Sequence, residues 1–281
     1  MKVFLMIIDP QNDFMDQPGA GLPVPGATAD MDRLATMIDR IGRKIDDVYV
    51  TLDSHHLVDV GHPAMWRDEH GNPPAPFTII MADDIKAGRW TPRNADAKPA
   101  ALGGETIRQY FIRYAETLEA KGQYVLMVWS VHCLIGKPGQ SVYPPLMATL
   151  NVWADREFAT INWVTKGTNP WTEHYGGLQA EVPMPSDPST GLNTALLDAL
   201  QDADIIVFAG EASSHCVKST VQQVVDNVDP KLLTKMHLLT DCMSPIPAVP
   251  GGPDFPAITT AWMKDMAARG MVLTTSTRFM A

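Results

Sequence analysis

Short, uninterrupted apolar runs alternate with amphipathic stretches along this chain, and that rhythm limits the folds open to it. The runs are Val3–Ile8, Asp47–Leu52, Tyr124–Trp129, Ile161–Lys166, Asp204–Ala209 and Met236–Leu239. They are bounded by turn residues and continuous rather than alternating, as strands buried on both faces of a parallel sheet are. Between them, Leu34, Met37, Ile38 and Ile41 share one helical face. So do Ile107, Tyr110, Phe111, Tyr114 and Leu118, and likewise Val217, Val221, Val224 and Val228. Strand, helix and strand repeated this way predict right-handed βαβ units in a doubly wound, mainly parallel α/β sheet flanked by helices.

The chain's 281 residues, 45% of them apolar, suit a single domain over 1–281. One segment breaks the rhythm: about 57–103 is rich in Pro, Gly and Trp without clear periodicity. It reads as an inserted, loop-rich segment, either a cover over the site with Trp66, Phe77 and Trp90 available to wall a pocket, or a surface excursion or oligomer contact that packs them elsewhere. A second Pro- and Gly-rich loop runs from Ser244 to Pro256.

A net charge of −10 argues against a nucleic-acid partner, which needs a basic face. The first apolar run ends at Asp9 after six residues, too short for a signal-peptide core or a membrane span. Three irregularly spaced cysteines make no disulfide framework. A cytoplasmic protein with free thiols and no membrane partner is expected.

Open α/β sheets bind ligands at the carboxyl ends of their strands. Asp9 follows the first expected strand, Asp53 and His55 the second, and His132 the third; Lys166 ends the fourth, and Cys216 comes a short turn after the fifth. Cys216 opens an apolar-striped helix, where the helix dipole is expected to lower a thiol pKa and free amides can hold an oxyanion. Asp9 and Lys166 make sense as a charged pair beside that thiol. The carboxylate would take the thiol proton and return it to the leaving group, and the ammonium would hold the carboxylate. Asp53 and His55 face one side of an extended segment, and His132 completes a two-His, one-carboxylate set for a divalent metal. Zinc is the first choice, with iron and manganese as alternatives. His56, His62 and His70 are further candidates for the third or fourth ligand.

The segments that carry these residues are IIDPQNDF at 7–14, TLDSHH at 51–56, WSVHCLIGKPGQ at 129–140, VTKG at 164–167 and GEASSHCV at 210–217. Together, in this order, they resemble the nicotinamidase and isochorismatase-like family of cysteine hydrolases. The resemblance implies a catalytic triad of Asp9, Lys166 and Cys216, and a metal held by Asp53, His55 and His132. It implies aromatic walls for the substrate at Phe14 and Trp129. It also implies oxyanion amides at Ala212 and Cys216, beside a cis peptide between Glu211 and Ala212. The metal set points to the nicotinamidase branch. The implied activity is hydrolysis of a small amide such as nicotinamide to the acid and ammonia through a thioester. A carbamoyl or ureido amidohydrolase and an isochorismatase-like hydrolase are the alternatives. The partner is then a small-molecule amide, and a homo-oligomer is compatible with the sequence. Three departures stand out: Trp-Ser-Val-His replaces a usual Trp-Pro-Pro-His, Glu211 replaces a commonly apolar residue beside the oxyanion turn, and the segment from about 57 to 103 is longer than in compact nicotinamidases.

Overall fold

In the computed structural model the strands are β1 (Val3–Ile8), β2 (Asp47–Asp53), β3 (Trp66–Asp68), β4 (Thr78–Ile79), β5 (Trp90–Pro92), β6 (Met127–Val128), β7 (Asn162–Lys166), β8 (Ile205–Gly210), β9 (Met236–Leu239) and β10 (Val272–Thr274). The helices are α1 (Ala27–Ile41), α2 (Ala82–Lys86), α3 (Ile107–Lys121), α4 (Pro144–Glu157), α5 (Thr194–Gln201), α6 (Cys216–Asn227) and α7 (Phe255–Ala268). The structure describes residues 1–249 and 251–281; Pro250, within the loop expected from Ser244 to Pro256, lies outside the described residues.

Six strands form one parallel sheet in the order β10-β9-β8-β1-β2-β7. The helices flank it, as the apolar stripes require. β1 is buried along its whole length, which is why its sequence is apolar without alternation. Chain order runs outward from β1 through β2 on one side and from β8 through β10 on the other. The direction of winding therefore reverses between β1 and β8, and the crevice of such a sheet opens beyond the carboxyl ends of those two strands. Ile8 is in register with Gly210, and Asp53 with Lys166. Gly210 has φ 119°, and a Cβ there would lie 2.0 Å from the Ile8 carbonyl oxygen. Only glycine lets the chain leave β8 this close to β1.

Two expectations need correction. The run Tyr124–Trp129 does not enter the main sheet: only Met127–Val128 is extended, paired antiparallel with β4. Residues 57–103 are rich in loop, but most of their aromatics do not wall a pocket. They contain the β3–β5 pair, β4 and α2, and they have a core of their own. Met65, Trp66, Ile80 and Ile85 pack there with Tyr110, Phe111, Tyr114 and Leu118 from α3. The ring centroids of Trp66 and Phe111 are 5.0 Å apart, so Trp66 is a core residue and not a pocket wall. Trp90 packs against the same core. Phe77 alone of the three aromatics reaches the site, edge-on to Trp129 at 5.7 Å.

Candidate active site

The carboxyl ends of β1, β2 and β7 and the turn after β8 bring Asp9, Asp53, Lys166 and Cys216 together. Asp9 leaves β1 with φ 45°, and its amide and Oδ1 are both held by the Thr51 hydroxyl, at 2.9 and 2.5 Å. Lys166 is buried, and its Nζ lies 2.9 Å from Asp9 Oδ2, 3.1 Å from Asp53 Oδ1 and 3.7 Å from Cys216 Sγ. It also donates to the His174 carbonyl at 3.0 Å. A buried ammonium is costly unless paired. Burial opposes its charge, but Asp53 and Asp9 hold the Lys166 pKa well above the usual lysine value. Burial pushes the Asp9 carboxyl up, against the pull of Lys166. Gly167 follows Lys166 with φ 77°, and a Cβ there would sit 2.8 Å from Asp53 Oδ1.

The expected depression of the Cys216 thiol is not found. Burial outweighs the pull of Lys166, so the thiol pKa lies well above the usual range. The thiol is therefore protonated at rest and needs a base. Raising Asp9 makes its carboxylate a stronger proton acceptor than an ordinary aspartate.

The second constellation also assembles. Ligand atoms of Asp53, His55 and His132 all lie within 4.8 Å of one another, and all three residues are buried. His55 Nε2 is 3.0 Å and His132 Nε2 3.6 Å from Asp53 Oδ2. The other nitrogens are occupied: His55 Nδ1 faces Asp59 Oδ2 at 3.2 Å, and His132 Nδ1 donates to the Ser130 carbonyl at 2.8 Å. Partners of this kind fix the tautomer and leave Nε2 free for a metal. Gln11 clamps the backbone of Asp53 at both ends, accepting from its N–H and donating to its carbonyl at 2.7 Å each.

The charge balance fits a cation as well. Asp9 and Asp53 are buried against one ammonium, Lys166, and a third buried carboxylate, Asp59, faces His55. Burial works against a charged His55, but Asp53 and Asp59 hold its imidazole well above the usual histidine range. A divalent ion would supply that positive charge directly.

Among the alternative histidines, His62 is buried, with Nε2 3.3 Å from His132 Nδ1, and burial pushes its pKa down to about 3. It borders the three-donor group without belonging to it. His56 and His70 are exposed and stand apart.

Phe14, Trp129, Ala212 and Cys216 line one cavity with Asp53, His132 and Glu173. The peptide between Glu211 and Ala212 is cis, as the resemblance implied. The amide N–H groups of Ala212 and Cys216 have no acceptor among the described residues, so both are available to an oxyanion. Sequence reasoning missed Asp59 and Glu173. Asp59 follows His55 by four residues, and a search for a carboxylate behind each candidate histidine ligand finds it. Glu173 lies in a loop without periodicity, and nothing in the sequence marks it.

No protein-family model matches the chain, and no curated protein matches it significantly. The fold is that of the isochorismatase-like hydrolases. Among solved structures it is shared by the yeast nicotinamidase Pnc1p bound to the inhibitor nicotinaldehyde, at 16% identity and TM-score 0.62, over 97% of this chain and 99% of that one. An Acinetobacter baumanii nicotinamidase/pyrazinamidase matches at 18% identity and TM-score 0.60, over 98% and 97%. The Pyrococcus horikoshii pyrazinamidase in complex with zinc matches at 16% identity and TM-score 0.54, over 98% and 99%.

Proposed function

We propose that the chain is a metal-containing cysteine amidohydrolase that converts a small amide, with nicotinamide the first to test, into the acid and ammonia. The observation that carries this reading is the placement of Lys166 Nζ within 2.9 Å of Asp9 and 3.7 Å of Cys216, all buried at the switch point of the sheet. Asp9 takes the Cys216 proton, and the thiolate attacks the carbonyl carbon of an amide held between Phe14 and Trp129. The Ala212 and Cys216 amides receive the developing oxyanion. The tetrahedral species collapses to a thioester as the C–N bond breaks, and Asp9 returns its proton to the departing ammonia. Water then cleaves the thioester, releasing the acid and restoring the thiol. Asp53, His55 and His132 would hold a divalent metal, zinc first, which when bound polarises and positions a ligand atom of the substrate. These roles agree with the nicotinamidase and pyrazinamidase activities of proteins that share the fold.

A carbamoyl or ureido substrate is the second reading. Glu173 favours it: Oε2 is buried without a donor among the described residues, and the residue lines the cavity. A ureido N–H would satisfy that oxygen.

Ammonia release from nicotinamide, pyrazinamide and a set of ureido compounds tests both readings, with Cys216→Ala as the control. A folded, zinc-supplemented protein that releases ammonia from none of them would refute the hydrolase assignment.

A further inference from the structure

Glu211 is a fully buried carboxyl set directly before Ala212, in the turn that presents the oxyanion amides. Its Oε2 accepts the Ser244 N–H at 3.1 Å. Ser244 Oγ in turn donates to Asp30 Oδ2 at 2.5 Å, and the other Asp30 oxygen is paired with Arg33 one turn along α1. Ser244 also accepts the Ser213 N–H at 2.9 Å, and two residues further on Ile246 N–H donates to Ser214 Oγ at 3.1 Å. One loop residue is therefore held by a carboxyl from the turn and a carboxyl from α1 at once.

We propose that Glu211 is a positioning residue that sets the oxyanion turn, fixing it through Ser244 and Asp30 to α1. The inference rests on the amidohydrolase reading. Two buried carboxyl groups beside one guanidinium are one positive charge short, and a shared proton resolves this. Burial first, and then the Asp30 charge, push the Glu211 carboxyl well above the usual range. As a neutral acid, Glu211 donates to Asp30 with one oxygen and accepts from Ser244 with the other. Oε1, which otherwise lacks a partner among the described residues, is then satisfied. Without Glu211, the Ser244 N–H loses its acceptor and Asp30 loses its proton donor. The turn would then drift relative to Cys216, while the thiol, held by α6 and Lys166, would stay in place.

The test compares Glu211→Gln, Glu211→Ala and the bulkier Glu211→Leu in the metal-loaded full chain. Glutamine reproduces the acid's pattern, accepting with its carbonyl and donating with its amide, and should hold kcat within about twofold of wild type. Alanine and leucine should lower kcat by about 10- to 100-fold, the range that follows from displaced catalytic groups. KM and the rate of Cys216 alkylation by iodoacetamide should change by less than about twofold. Hydrogen exchange of residues 210–217 should rise in the alanine and leucine variants and not in glutamine, and this readout stands whether or not an amide substrate is found. Unchanged kcat or unchanged exchange in both apolar variants overturns the proposal. So does a glutamine variant as impaired as alanine, or alkylation that falls together with kcat. A wild-type protein that hydrolyses no amide fails the amidohydrolase reading instead, and the exchange data then decide on Glu211 alone.

Discussion

Lys166 and Asp53 form a buried ion pair, Nζ to Oδ1 at 3.1 Å, and so the ammonium that contacts the thiol also contacts a member of the candidate metal-ligand set. Removing it strands two carboxylates. Lys166→Met should therefore abolish turnover and destabilise the fold by about 3–5 kcal/mol, whereas Cys216→Ser should change stability by less than about 1 kcal/mol. Urea titrations of both variants at fixed zinc concentration check this. A Lys166→Met protein as stable as Cys216→Ser would show that the two carboxylates do not depend on the ammonium.

The three cysteines should separate cleanly. Cys216 is 6% exposed and lines the cavity, while Cys133 and Cys242 are fully buried. Cys216→Ala should lose at least about a thousandfold in kcat/KM, and Cys242→Ala should keep most of its activity. Mass spectrometry after brief alkylation should find the label on Cys216. Labelling of Cys242 first would contradict the nucleophile assignment.

Metal binding should depend on the residue behind the ligands as well as on the ligands. His132→Ala should lose the ion, and Asp59→Asn should weaken binding by about 10- to 100-fold because Asp59 orients His55 from 3.2 Å. Elemental analysis and a competing chelator give the two numbers. Equal occupancy in wild type and His132→Ala would remove His132 from the site.

The pH dependence of stability should carry a signature from Glu181. Burial pushes its carboxyl up to about 7, against the pull of Lys121 and Lys166. The folded protein thus keeps a proton that the unfolded chain sheds above about pH 4.5. This contribution is fully present below that pH and is lost as pH rises through about 7. Glu181→Gln removes it, so the variant's stability relative to wild type should climb by about 2 kcal/mol between pH 5 and pH 8. A difference that stays flat over this window would mean Glu181 is already ionised in the folded state.

Much of the site was readable because parallel strands announce themselves. β1 and β9 fall where their apolar runs lie, and the residues that end or follow β1, β2, β7 and β8 converge as such a sheet demands. His132 was placed by a run that forms no central strand, and yet it arrives at the site. It is held there by its own Ser130 carbonyl and by Asp13, which accepts the Cys133 N–H at 2.6 Å. What could not be read are effects of tertiary burial. Burial lifts the Cys216 thiol against the pull of Lys166, and a sequence does not show depth. Trp66 and Trp90 looked like pocket aromatics because nothing in their neighbourhood revealed that α3 would supply a core for them. Val272–Thr274, three residues long and partly exposed at the sheet edge, was too short to signal a strand.

The reversal of winding between β1 and β8 also fixes when the site can exist during folding. Asp9 lies near the start of the chain and Cys216 far along it, yet their strands are direct neighbours. No contiguous fragment shorter than residues 9–216 holds Asp9, Cys216 and the candidate metal donors together. Pairing β8 onto β1 closes a long loop, a slow step in chain collapse. Until β8 pairs with β1, Cys216 has neither Asp9 nor Lys166 beside it, so the assembled site waits on the same closure that joins the two halves of the sheet.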